Sequence, residues 1–259
     1  GLCGTDIHTM NDEYSSRPPV IMGHEYVGIV DSLGEGVKGF GKGDYVVSMT
    51  AGKTCGTCRY CRQGFLMMCE GRLSIGSGMN GAFAEYMTIS ADLAFKVPDE
   101  IENKEALAIC EPLACVVRSV NERATVKAGD VVLITGPGAI GLLTLQLAKV
   151  RGAYVIMSGT PQDEHRLELA KKMGADRVAV DAESLKNIIK QGSPIGVDVA
   201  FECAGSAPAA KICLESLRKQ GLYSQVGLFG KEIQIDMDKF LYKEIQITNS
   251  LATTRTSWE

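Results

Sequence analysis

The sequence predicts two folded units: a mostly-β domain, then an α/β domain built on a doubly wound parallel sheet. Three observations carry that expectation. Short β-branched and aromatic runs separated by Gly-rich turns fill the first third of the chain. From Gly129 onward, strand-like apolar runs alternate with helical ones, the pattern of parallel strands joined by crossover helices. At 259 residues there is room for two domains of ordinary size.

In the first part, Arg17-Pro18-Pro19 stiffens a loop ahead of Gly23-His24-Glu25. Residues 26–30, 44–48 and 81–89 read as strands, and Gly34, Gly36, Gly39, Gly41 and Gly43 punctuate the turns between the first two. The texture changes near Pro98, where residues 102–120 become helix-forming, broken only by Pro112, and form the expected bridge between domains. Beyond it, strands are expected at Val131–Thr135, Tyr154–Ser158, 177–180, Val197–Glu202 and 222–226. Helices are expected at 139–151, 164–173, 184–190 and 207–219. In the second helix Leu167, Ala170 and Met173 share a face, and Gly174 supplies the C-terminal cap.

Composition narrows the function. Hydrophobic content of 45% and charged content of 22% are ordinary for a globular protein, and a net charge of −4 argues against a phosphate-backbone binder. Nucleic acid is therefore not an expected partner. Residues 131–148 carry no charge, but Gly136, Pro137, Gly138 and Gly141 interrupt them, so a strand, turn and buried helix explain the run better than a membrane span. No basic region followed by an apolar run opens the chain, so cytoplasm is the expected location. Nine cysteines, an odd number with clustered spacing, point to metal ligation rather than disulfides.

The strongest local signal is Cys55-Gly-Thr-Cys58-Arg-Tyr-Cys61 followed by Cys69. Four thiolates this close can surround one tetrahedral zinc and leave no open position, which is the pattern of a structural site. An iron–sulfur cluster fits less well, because its usual run spaces the last two cysteines by three and places Pro after the fourth; here seven residues intervene and Glu70 follows. Buried unligated cysteines are the plainer alternative, set against the polar company of Lys53, Thr57, Arg59, Arg62 and Gln63.

A second set is more dispersed. Gly1-Leu2-Cys3-Gly4-Thr5-Asp6-Ile7-His8 puts a thiol, a hydroxyl, a carboxylate and an imidazole in one short stretch. With His24 and a carboxylate, Glu25 or Glu111, Cys3 could close three sides of a zinc whose fourth side stays open to water or substrate.

The third set is Gly136-Pro137-Gly138-Ala139-Ile140-Gly141, a G-x-G-x-x-G run between a predicted strand and a predicted helix. In that context the glycines admit a pyrophosphate to the helix N-terminus. The second strand ends Met157-Ser158-Gly159-Thr160, without the acidic residue that ordinarily binds the ribose hydroxyls of NAD. Gly159, Thr160 and Arg166 could accommodate a 2′-phosphate, which favours NADP, while Asp163 and Glu164 keep NAD open.

Taken together and in order, GLCGTDIH, GHE, the four-Cys lobe and GPGAIG resemble the zinc-containing medium-chain alcohol and polyol dehydrogenases, including sorbitol and threonine dehydrogenases. The resemblance implies a GroES-like catalytic domain at 1–116, a Rossmann domain at 117–251, a return to the catalytic domain from 252, and an active site in the cleft between the two. It makes Cys3 and His24 ligands of a catalytic zinc, with Glu25 or Glu111 as third ligand, and Cys55, Cys58, Cys61 and Cys69 those of a structural zinc. Glu111, where alcohol dehydrogenases carry a third Cys, favours the polyol side. It also implies a small alcohol or polyol substrate, a homo-oligomer (dimer or tetramer), and a longer polypeptide extending past both ends.

On that frame the metal would acidify the substrate hydroxyl, Thr5 would take its proton and relay it through the cofactor ribose to His8, and hydride would pass to the nicotinamide. Asp6 is a candidate acceptor for the His24 N–H. The rival readings are a zinc-free quinone or enoyl reductase on the same frame, and a non-enzymatic zinc-ribbon module.

Overall fold

The computed structural model describes all residues, 1–259. The chain forms two compact units: Gly1–Cys115 together with Ala252–Glu259, and Val116–Leu251.

The first unit opens with helix α1 (Gly4–Met10) and holds a small antiparallel sheet, β1 (Gly28–Ile29), β2 (Tyr45–Ser48) and β3 (Ala94–Lys96), in the order β1-β2-β3. A short helix α2 (Arg59–Arg62) lies within the four-Cys lobe. Met49, Ala51 and Leu93 form a small core against which Phe95 and Trp258 pack. The last residues are stapled to this unit: the Trp258 and Phe95 rings stack with centroids 5.3 Å apart, and Arg255 donates to the Asp92 carbonyl at 3.1 Å.

Two strand expectations are corrected here. Residues 26–30 yield only the two-residue β1, and 81–89 form no strand. Gly81, Ala82 and Phe83 instead donate backbone bonds to Ile21, Gly23 and Met22, while Phe83 and Tyr86 are 48% and 75% exposed. Alternating residues make a strand only where a partner edge receives the ladder; this segment's first donors are spent on the loop beside His24.

Residues 105–124 are helical almost throughout, as a 3₁₀ turn (Glu105–Ile109), helix α3 (Cys110–Val117) and a wide π-type stretch (Arg118–Ala124). Pro112 falls in the first turn of α3, where a missing N–H costs nothing.

The second unit alternates as expected: β4 (Val131–Thr135), α4 (Ala139–Val150), β5 (Tyr154–Ser158), α5 (Glu164–Lys172), β6 (Arg177–Ala179), α6 (Ala182–Gly192), β7 (Val197–Glu202), α7 (Ala207–Ser216), β8 (Leu217–Gln225), α8 (Asp238–Lys243) and β9 (Gln246–Asn249). Its six strands are parallel, in the order β6-β5-β4-β7-β8-β9. Alternate residues of β4 go to opposite faces. Val132 and Ile134 enter one core with Val155, Met157 and Phe201, whereas Leu133 enters the other with Ile156, Ala200 and Tyr223. Both faces are therefore covered, as a parallel sheet requires. The strand order reverses at β4, and ligands of such sheets bind at the carboxyl ends of the strands beside that reversal.

One boundary differs: the helix expected through 219 stops at Ser216, and the chain turns directly into β8. Lys243, on α8, donates its ammonium to the Leu214, Glu215 and Leu217 carbonyls, capping α7 from a distant part of the sequence.

Candidate functional site

The first site is built on the entry to α1. Cys3 stands at the helix N-terminus, and Asp6, one turn in and 2% exposed, folds back so that Oδ2 accepts the Cys3 N–H at 2.9 Å. The other oxygen, Oδ1, accepts the Gly23 N–H at 3.3 Å and lies 3.4 Å from His24 Nδ1. One buried carboxylate thus holds together two segments about twenty residues apart. Gly23 has φ +91, and a Cβ there would overlap the Phe83 ring. Only glycine permits that turn into His24.

The ligand atoms of Cys3, His24 and Glu25 lie within 4.8 Å of one another. Burial, with the nearby Glu25 and Glu111 adding to it, raises the Cys3 thiol despite the hydrogen bonds of Thr5. A divalent cation reverses such a penalty, because a coordinated thiol is held deprotonated. The Cys3 thiol donates to Thr5 Oγ1 at 3.6 Å, so the hydroxyl lies beside the sulfur. His8 is elsewhere engaged, its Nδ1 paired with Glu13 Oε2 at 2.6 Å.

Glu111 does not join the compact Cys3–His24–Glu25 set. It is 7% exposed, and burial and the charge of Glu25 push its carboxyl up to about 7, against the Cys115 hydrogen bond and the Arg72 guanidinium. Cys115 Sγ donates to Glu111 Oε1 at 3.6 Å, and the Arg72 guanidinium is anchored on the Met67 carbonyl at 3.1 Å. These two neighbours were missed in the sequence. Cys115 was within reach of detection, being four residues after Glu111 on a helix; Arg72 carried no local signal.

The four cysteines of the lobe also converge within 4.8 Å, and all nine cysteines are free thiols. The backbone is wrapped around the sulfurs. Cys58 N–H points to Cys55 Sγ at 3.3 Å, Cys61 N–H to Cys58 Sγ at 3.4 Å, and Cys55 N–H to Cys69 Sγ at 3.3 Å. Donors from Cys58 and Thr57 pull the Cys55 thiol down to about 6. Amides aimed at sulfur prepare thiolates for a cation with no further ligand.

In the second unit the glycine turn follows β4. Gly136 has φ +88, and a Cβ there would come within 2.8 Å of Ala204 Cα; a Cβ at Gly141 would stand 2.0 Å from the Gly136 carbonyl oxygen. Those two glycines are demanded by packing. Gly138 is different: a Cβ there would meet nothing within 4 Å, and it caps the N-terminus of the twelve-residue α4. Open space at a helix N-terminus suits an incoming pyrophosphate. Ala139 begins α4, and Ile140 packs against the core. Pro137 abuts Gly159, whose added Cβ would lie 3.1 Å from Pro137 Cγ.

At the tip of β5, Asp163 Oδ2 accepts both the Thr160 N–H at 3.1 Å and the Thr160 hydroxyl at 2.8 Å, and Oδ1 pairs with Arg166 at 3.2 Å. Glu202, fully buried at the end of β7, was also missed. Its Oε1 accepts the Ala204 and Ser206 N–H groups at 3.0 and 3.4 Å. A cavity of about 600 Å³ beside α7 is lined by residues such as Pro208, Lys211 and Ile235 and by none of the glycine turn.

A metal-ready thiol–imidazole–carboxylate set and a strand–glycine turn–helix unit define a class, the metal-dependent oxidoreductases that use a dinucleotide. The chain belongs to the zinc-binding dehydrogenases. Residues 1–99 match the alcohol dehydrogenase GroES-like domain, and residues 139–259 match the zinc-binding dehydrogenase family.

The chain is 40% identical over 263 residues to a sorbitol dehydrogenase of Halalkalibacterium halodurans, covering 100% of this chain and 76% of that protein. It is 39% identical to a D-arabitol-phosphate dehydrogenase of Enterococcus avium, covering 100% and 74%. Among solved structures it superposes with TM-score 0.88 and 33% identity on one from Sinorhizobium meliloti described as a zinc-binding dehydrogenase bound to NADP, covering 100% of this chain and 76% of that one. An alcohol dehydrogenase from Aeropyrum pernix gives TM-score 0.88 at 32% identity, covering 100% and 77%. These likenesses set aside the zinc-free reductase and the isolated zinc-ribbon module. No helix is long and apolar enough to cross a membrane.

Proposed function

We propose that the protein is a zinc-dependent alcohol or polyol dehydrogenase that moves hydride between a secondary hydroxyl of its substrate and NAD(P). The observation that carries this reading is the convergence of Cys3, His24 and Glu25 within 4.8 Å over a buried Asp6. A soft thiolate, an imidazole and a carboxylate are three donors of the kinds that hold a catalytic zinc, whose fourth position is left to water or substrate. The relatives' names, sorbitol and D-arabitol-phosphate dehydrogenase, support a polyhydroxylated substrate.

Zinc, when bound, supplies Lewis acidity toward the hydroxyl, and NAD(P) supplies the hydride acceptor. The chain's own residues do the rest. Cys3, His24 and Glu25 hold the metal, and Asp6 orients the imidazole. In this reading Thr5 Oγ1, beside the Cys3 sulfur, receives the substrate proton, and His8, its Nδ1 held by Glu13, is the outlet toward solvent through its other ring nitrogen. Glu111, buried with its carboxyl pushed up to about 7, is a second carboxylate that feels the charge of Glu25. Cys55, Cys58, Cys61 and Cys69 hold a second, structural zinc.

Gly136 to Gly141 receive the pyrophosphate, and Gly159, Thr160 and Arg166 border the adenosine ribose. In this reading residues 1–116 and 252–259 are the catalytic domain and 117–251 the cofactor domain. A homo-oligomer and a cytoplasmic location complete it. The first is supported by the exposed Leu241, Tyr242 and Ile247 near edge strand β9, and the second by nine unpaired thiols.

A zinc count on the purified protein, alongside a panel of polyols and simple alcohols assayed with both cofactors, tests the reading. About two zinc ions per chain and cofactor reduction by polyols are expected. Full turnover by the Cys3→Ser variant would remove the catalytic assignment.

A further inference from the structure

The 2′-phosphate that separates NADP from NAD must meet whatever stands at the tip of β5, and here that tip is already bonded to itself. Resting on the dehydrogenase reading, we propose that Asp163 makes this chain selective for NAD over NADP, by engaging Thr160 and Arg166 and by setting a negative charge beside the adenosine ribose.

Three observations converge on it. Thr160 and Arg166 are side chains near this tip that could grip a phosphate, and Asp163 holds both: the threonine through its N–H and hydroxyl at 3.1 and 2.8 Å, the arginine at 3.2 Å. The position is right. A Cβ at Gly159 would lie 3.1 Å from Asp163 Cβ and 3.1 Å from Pro137 Cγ, so Asp163 stands across one glycine from the pyrophosphate turn, where the end of the second strand of such folds meets the ribose. The charge is fixed. Partial burial works against ionisation, yet the Thr160 bonds and Arg166 hold the carboxyl below its ordinary range, so it is an anion at neutral pH. A carboxylate with free lone pairs accepts ribose hydroxyls and repels a phosphate dianion. The acidic residue ordinarily found at the strand end is thus replaced by one reaching back from the next turn.

The alternative role for Asp163 is to cap the turn that starts α5, and Asp163→Asn separates the two. Asn retains a carbonyl oxygen for Thr160 but carries no charge, and it frees Arg166. Binding is read directly, by titrating the protein with NADH and NADPH and following nicotinamide fluorescence, with a melting curve to verify folding. The wild type should bind NADH at least about tenfold tighter than NADPH at ordinary salt, the scale one carboxylate–phosphate repulsion allows near a surface. Asp163→Asn should shift that ratio about tenfold or more toward NADPH, and adding Arg166→Ala to it should take most of the shift away.

Equal or tighter wild-type binding of NADPH overturns the proposal while leaving the dehydrogenase reading standing. So does an unchanged ratio in a folded Asp163→Asn protein, which would leave Asp163 as a cap alone. Failure to bind either cofactor would remove the underlying reading and this proposal with it.

Discussion

His24 Nδ1 lies 3.4 Å from Oδ1 of the buried Asp6, whose other oxygen accepts the Cys3 backbone N–H at 2.9 Å. One carboxylate therefore ties down two of the three residues proposed to hold the metal. Its tie to the imidazole also leaves Nε2 as the nitrogen presented to a cation.

Asp6→Asn follows from this. An amide has one acceptor oxygen where the carboxylate had two, so either the Cys3 side or the Gly23–His24 side loses its partner. Zinc affinity should fall about 10- to 100-fold, as read by competition with a chromophoric chelator. An affinity equal to wild type would show that Asp6 is only a helix-start cap.

The four-thiolate lobe has a different signature. Cys58 Sγ accepts the Cys61 N–H and belongs to a closed set, so Cys58→Ser should release one zinc per chain and lower the melting temperature. Metal analysis and calorimetry together test this. An unchanged zinc content with an unchanged melting curve would sink the assignment.

Two glycines of the turn, Gly141 and Gly138, should not behave alike. Gly141→Ala drives a methyl against the Gly136 carbonyl and should destabilise the second unit by about 1–3 kcal/mol. Gly138→Ala meets open space at an ordinary φ of −78, so it should leave the melting curve unmoved and weaken cofactor binding instead. Thermal melts paired with NADH titration discriminate the two, and a Gly138→Ala protein that binds normally would refute the pyrophosphate assignment.

Glu202 gives a pH prediction. Burial raises its carboxyl above the ordinary 4.5, against the backbone donors of Ser206, Ala204 and Gly205. A folded-state pKa raised above the unfolded one means the folded chain holds the proton more tightly. Its stabilising contribution is complete below about 4.5 and is lost as pH rises through the folded value. Glu202→Gln keeps an acceptor for Ala204 and Ser206 and removes the proton equilibrium. Urea midpoints should then show the variant gaining on wild type between pH 4 and pH 8; a difference that is the same at both would mean Glu202 is not perturbed.

Much of this was legible before any fold was known. In the second unit β4, β5 and β7 fall where the apolar runs place them, because each is short, buried and closed by a glycine or polar turn. Helix α5 runs to Lys172 and is followed by Gly174. The four cysteines and the G-x-G-x-x-G run were legible for the same reason: their chemistry is carried by residues close together in sequence. Where partners were remote the reading failed. Residues 81–89 alternate like a strand but spend their first donors on Ile21, Met22 and Gly23. The end of α7 is set by Lys243, and nothing within 207–219 announces it. The segment holding α8 and β9 went unread, although Ile245 and Ile247 alternate as a strand's residues do.

The sequence by itself determined the kinds of chemistry present, a thiolate lobe, a thiol–imidazole pair and a glycine turn after a strand, since local spacing and side-chain type suffice for that. Tertiary structure decided how those parts act on one another: that Asp6 couples Cys3 to His24, that Glu111 is buried beside Cys115 and Arg72, and that Asp163 engages Thr160 and Arg166. A charge's effect depends on distance and burial, and for Asp6 and Glu111 both are set by residues far along the chain. Even for Asp163, close neighbours in sequence became partners only when the turn after β5 gave them a common direction.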